Sequence, residues 1–192
     1  MVIPEEHQSR SDEELVALTL QDPDYYTCLI DRYEKKLARY LRRISSFSED
    51  DIEDVLQVVF IKAYKNLNDF DRRLKFSSWL YRIAHNELIS QHRRRLARPQ
   101  SVIAIDDVKV INKFAAEVDL VGQADNKFLA QRMGQALGQI NHKYREVLIL
   151  KFWEDKSYEE ISNILKKPIG TVGTLIRRAK GSLKRELAKK PI

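Results

Sequence analysis

The segment from Phe70 to Arg98, FDRRLKFSSWLYRIAHNELISQHRRRLAR, sets Phe70, Phe76, Trp79 and Tyr81 among eight arginines and lysines. After Asp71 only Glu87 opposes them. Cations attract phosphates, and aromatic faces stack on bases that have left a duplex, at roughly 1–3 kcal/mol per base. An intact double helix offers no free base faces, so the pairing points to single-stranded or melted nucleic acid. Trp79, Arg82, Asn86 and Arg93 share one helical face, with Tyr81, His85 and His92 on an adjacent strip. Ahead of them runs the short cationic loop Asp71-Arg72-Arg73-Leu74-Lys75-Phe76. An extruded base needs stacking walls and an amide to read its edge, and Asn86 supplies the amide. The competing reading makes Phe76 and Trp79 core residues and the arginines a solvated face.

A second cationic element lies near the C-terminus. Ser157 and Glu160 form a capping box ahead of Tyr158, Ile161 and Leu165, and Lys166-Lys167-Pro168 stops that helix. The next helix carries Val172, Ile176, Ala179 and Leu183 on one face. At about 100° per residue, Thr174, Arg177, Arg178 and Gly181 fall opposite, with Lys180, Lys184 and Arg185 extending the charge. Two short helices, a tight turn and a cationic front suit a helix-turn-helix that enters the major groove.

Helical periodicity also organises the rest. Leu29, Tyr33, Leu37, Tyr40, Leu41 and Ile44 recur at threes and fours after the Asp22-Pro23 start. Ile52, Val55, Leu56, Val59, Phe60, Ala63 and Leu67 make another stripe behind Ser48 and Asp51. Ser11 and Glu14 cap a short leading helix. The pattern decays after Ala97 and resumes with Leu129, Met133, Leu137 and Ile140. The expected fold is therefore all-α: an N-terminal helical bundle over residues 10–97, a linker over 98–126 and a C-terminal helix-turn-helix domain over 127–189. An extra helix between Asn112 and Leu120 is the alternative for the linker.

Composition excludes several classes. The formal charge of +6 is modest, so its effect depends on clustering. Cys28 is the only cysteine, which rules out an intrachain disulfide and a Cys-rich metal site. The acids Glu49, Asp50, Asp51, Glu53 and Asp54 open a helix, where the macrodipole favours them, and no histidine adjoins them to suggest a metal. Beside Gln57 they suit a basic partner helix. No phosphate loop, nucleophile elbow, secretory signal or long apolar run occurs, so the expectation is a cytoplasmic, non-enzymatic protein without cofactor, metal or membrane insertion.

Three stretches resemble the bacterial RNA polymerase sigma factors of the extracytoplasmic-function (ECF) group. DIEDVLQVVFIKAYKNL is similar to their polymerase-docking segment, FSSWLYRIAHNELISQHRRR to their −10 melting helix, and SYEEISNILKKPIGTVGTLIRRAKGSL to their −35 helix-turn-helix. The resemblance implies that Asp51, Asp54 and Gln57 contact core polymerase. It implies −10 recognition and melting by Arg72, Arg73, Lys75, Phe76, Trp79, Arg82, Asn86 and Arg93. Duplex −35 DNA would meet Thr171, Thr174, Arg177, Arg178 and Lys180. Implied partners are RNA polymerase core, promoter DNA and an anti-sigma factor. Val58 stands where the docking motif carries glutamate, and Gly173 and Leu175 where many relatives are basic. The alternative function is a helix-turn-helix regulator that binds DNA without core.

Overall fold

A computed structural model describes residues 9–97 and 124–189. The described residues form eight α-helices: α1 (Asp12–Thr19), α2 (Tyr26–Ile44), α3 (Glu49–Lys65), α4 (Phe76–Leu96), α5 (Ala124–Gln139), α6 (His142–Phe152), α7 (Tyr158–Leu165) and α8 (Ile169–Ala188). The alternative helix between Asn112 and Leu120 lies outside them. Helix α5 begins at Ala124, earlier than the expected end of the linker, because the apolar period that first appears at Leu129 gives no sign of a polar opening turn.

Local chemistry accounts for the helix starts. Ser11, Ser48 and Ser157 each accept from the backbone N–H three residues on, and Glu14, Asp51 and Glu160 return bonds to the cap backbones. Asp22 and Pro23 begin a 3₁₀ turn (Pro23–Tyr25) that runs into α2 at Tyr26. Lys75 gives α4 no side-chain cap; instead the Phe76 N–H donates to Glu13 of α1 at 3.3 Å. Lys166 closes α7 in the left-handed region (φ 52°).

In the N-terminal bundle, Leu29, Leu37, Tyr40 and Leu41 of α2 meet Ile52, Val55 and Val59 of α3 and Leu80 and Ala84 of α4. Phe70, Phe76 and Trp79 form an aromatic cluster with centroids 5.3–5.7 Å apart. In the C-terminal part, Val147, Leu148 and Leu150 of α6 pack with Ile161, Ile164 and Leu165 of α7 and Val172, Ile176 and Ala179 of α8. Arg145, almost wholly buried, donates to the Leu137 and Gly138 carbonyls at 2.8 Å, satisfying orphan acceptors at the end of α5. The two parts are not separate globules: α2 packs on α6, and α4 lies along α7. No helix of the described residues is long and apolar enough to cross a membrane.

Candidate nucleic-acid and partner interface

Helix α4 divides its residues sharply. Phe76 is 0% exposed and Trp79 7%, both inside the aromatic cluster. The expectation that they present open stacking walls is therefore corrected: Phe70, Tyr33 and the rest of the core take up their faces. Asn86 and Arg93 are exposed, and Arg82 is half-buried. In the preceding loop Arg72 and Arg73 are exposed. Arg73 is tied to Asp71 through Nε at 2.9 Å and Nη2 at 2.8 Å, and Asp71 also accepts the Arg73 N–H. These bonds hold the Asp71 carboxyl down to a pKa of about 2. Lys75 reaches Glu160 of α7 at 3.3 Å. Asn86 and the cations of this segment thus reach the surface while Phe76 and Trp79 stay in the core.

Glu87, the one acid after Asp71 in the 70–98 segment, is buried. Its carboxylate is turned into the seam between α3 and α4, 2.5 Å from Lys62, with Arg94 at 3.8 Å. Periodicity could not reveal this, because a buried glutamate at a core position looks like a surface one.

The acidic start of α3 splits in two. Asp51 is occupied by its Ser48 cap and an ion pair with Arg95, whose guanidinium also lies 4.2 Å over the Phe47 ring. Burial tends to raise the Asp51 pKa, but the bonds from Ser48 and Arg95 outweigh it and the group sits below its ordinary value. Asp51 thus directs its carboxylate to Ser48 and Arg95 while its side chain stays 24% exposed. Asp54 and Gln57 are exposed. They continue into Ile61, 55% exposed, and Tyr64, 43% exposed, at helical spacing. In the sequence these two stand as an apolar pair off the buried stripe, the one signal of their exposure.

Helix α8 follows its expected polarity. Val172, Ile176 and Ala179 are buried, while Thr171, Arg177, Arg178 and Lys180 are exposed. Thr174 is half-buried and donates to the Gly170 carbonyl at 3.0 Å. Lys180 lies 5.0 Å over the Phe152 ring, which is itself exposed. A Cβ at Gly173 would rest 3.7 Å from the Tyr158 ring, so the missing side chain leaves the α7 start open beside the cationic front.

The Sigma-70 region 2 family matches residues 29–98, and Sigma-70, region 4 matches residues 130–183. The ECF RNA polymerase sigma factor SigW of Bacillus subtilis (strain 168) is 32% identical over 172 residues, covering 86% of this chain and 90% of SigW. The chain belongs to the ECF RNA polymerase sigma factors. The ECF sigma-E factor of Escherichia coli (strain K12) is 30% identical over 171 residues, with 84% and 86% of the two chains covered. Among solved structures, CnrH in complex with the cytosolic domain of CnrY matches with a TM-score of 0.68 at 23% identity, over 95% of this chain and 100% of that one. The sigma factor RpoE of Bartonella quintana, in complex with the anti-sigma factor NepR, matches with a TM-score of 0.62 at 23% identity, over 86% and 98%. This ECF sigma factor is thus a transcription-initiation protein in which regions 2 and 4 correspond to the N-terminal bundle and the helix-turn-helix.

Proposed function

We propose that this ECF sigma factor joins core polymerase through Asp54 and Gln57, with Ile61 and Tyr64 adding apolar area, and that it carries the enzyme to promoters of its own. Region 2, residues 10–97, takes the −10 element, and region 4, residues 127–189, takes the −35 element. Carboxylates beside an exposed isoleucine and tyrosine suit a basic partner helix, with the charges steering the approach. After the duplex opens, Asn86 reads an extruded base while Arg72, Arg73, Lys75, Arg82 and Arg93 hold its backbone phosphates. Phe76 and Trp79 act from the core, anchoring the start of α4. On −35 duplex, Arg177, Arg178 and Lys180 meet phosphates or base edges, with Thr171 and Thr174 beside them. The protein supplies binding energy and no chemistry, needs no cofactor, and works in the cytoplasm. An anti-sigma factor fits as its restraint, since the CnrH and RpoE relatives are seen with CnrY and NepR.

The observation that carries the reading is the pairing, in one chain, of an amide-bearing cationic face on α4 with a cationic helix-turn-helix front on α8. The test is a gel shift on genomic promoter fragments with and without core. Specific complexes only with core support the reading; specific binding by the chain alone replaces it with a conventional regulator.

A further inference from the structure

The cationic front of region 4 has an apolar patch at its N-terminal end. Tyr158, the first residue of α7, is 40% exposed, and Ile169, the first residue of α8, is 55% exposed. Gly173 follows Ile169 by one turn and so shares its flank of the helix. A Cβ at Gly173 would stand 3.7 Å from Tyr158 Cε2, so the ring lies along bare α8 backbone where a longer side chain would otherwise project. On its other side the ring has the Lys151 ammonium, 5.9 Å from its centroid. Lys151 also donates to the Lys156 carbonyl at 3.2 Å, which ties this neighbour to the turn before α7. A single exposed apolar residue is ordinary; two beside a glycine on one flank of a recognition helix make a surface.

Position decides what this surface can touch. A helix-turn-helix sets the N-terminal residues of its second helix against base edges in the major groove. Ile169, Gly173 and the Tyr158 ring lie at that end. Arg177 and Lys180 continue the same flank one and two turns further along, so the patch is continuous with the groups that meet phosphates. Position 173 offers no donor, and so no arginine- or lysine-type contact to guanine O6 and N7. Apolar surface in the major groove has one specific mate, the C5-methyl group of thymine.

We infer that Tyr158 is a further −35 specificity residue: its ring, set beside the bare Gly173 backbone with Ile169 one turn before, packs on the methyl group of a thymine and selects that base. This rests on the promoter reading above. Base reading by region 4 is then shared between α7 and α8, and it depends on Gly173 staying small, because a long side chain there would screen the ring.

The full chain with core first selects its −35 sequence from promoter duplexes randomised over that element. Each thymine of the selected sequence is then exchanged for deoxyuridine, which keeps every pairing group and loses only the methyl. One such exchange weakens wild-type binding about fourfold, the worth of one buried methyl group. With Tyr158→Ala the same exchange has no effect, and the base preference at that position relaxes. Gly173→Lys leaves Tyr158 in place but sets a cationic chain over its ring, and turns the preference at that position from thymine to guanine. It decides the matter alone if circular dichroism shows that Tyr158→Ala disturbs the fold. Uniform weakening by Tyr158→Ala with the deoxyuridine penalty kept makes the ring a backbone contact and overturns the assignment. A selected −35 sequence with no methyl-sensitive thymine, or a Gly173→Lys variant with unchanged preference, overturns it too. Wild-type binding with no −35 preference at all removes the promoter reading itself, a result distinct from these.

Discussion

The Lys62 ammonium lies 2.5 Å from Glu87, a carboxylate with no exposed surface. The other Glu87 oxygen makes no hydrogen bond among the described residues. A buried charge with one good partner is sensitive to that partner's loss. Lys62→Met is expected to destabilise the fold by about 1–3 kcal/mol, half-exposure of the lysine limiting the effect. Lys62→Met/Glu87→Met should recover most of it, since exchanging both charges for apolar groups removes the desolvation penalty. Urea unfolding of the two single variants and the double variant measures the coupling; simple additivity would show that the pair is not coupled.

Docking should separate two neighbouring acids. Asp54→Lys places a cation on the exposed face of α3 and is expected to reduce co-purification with core without altering helicity or melting. Asp51→Ala removes a capping-box partner and the mate of Arg95, so it should cost about 0.5–2 kcal/mol of stability and weaken core binding less. The reverse ranking in a pull-down would move the docking surface to the helix start.

Arg177→Ala is expected to weaken binding to −35 duplex and to lower the salt slope by about one, the signature of one lost phosphate contact. A shift in sequence preference as well would assign Arg177 to a base edge. With neither change across a salt series, α8 would not face DNA through Arg177.

Asn86 and Trp79 should part company. Asn86 is exposed, so Asn86→Ala is expected to leave stability alone and to impair open-complex formation. A promoter mismatched across −10 should rescue much of that defect, because unpairing costs a few kcal/mol that the template has already supplied. Trp79 is part of the core, and Trp79→Ala should lose about 3–5 kcal/mol of stability. Permanganate reactivity of thymines on matched and mismatched templates reports the first effect, and thermal melting the second. Wild-type opening by Asn86→Ala on a matched promoter would leave α4 as a backbone-binding surface only.

The sequence by itself determined the helices, their caps and the polarity of α8. These are local properties: Ser48 with Asp51 and Ser157 with Glu160 act within one turn, and the stripe Val172, Ile176, Ala179 repeats with the helix itself. The two cationic segments were legible for the same reason. Only the tertiary structure decided which side of α4 faces outward. Residues at the spacing of Trp79, Arg82 and Asn86 share a face on a helical wheel, yet Phe70 and Phe76 pull the indole into the core while Asn86 stays in solvent. It also decided that Asp51 pairs with Arg95 and the buried Glu87 with Lys62, forty-four and twenty-five residues away in sequence. It placed Glu154 on Arg43 and Tyr81 as well. Pairings across such distances depend on how helices cross, and helix crossing is set by the sum of many side-chain volumes that no short-range pattern encodes.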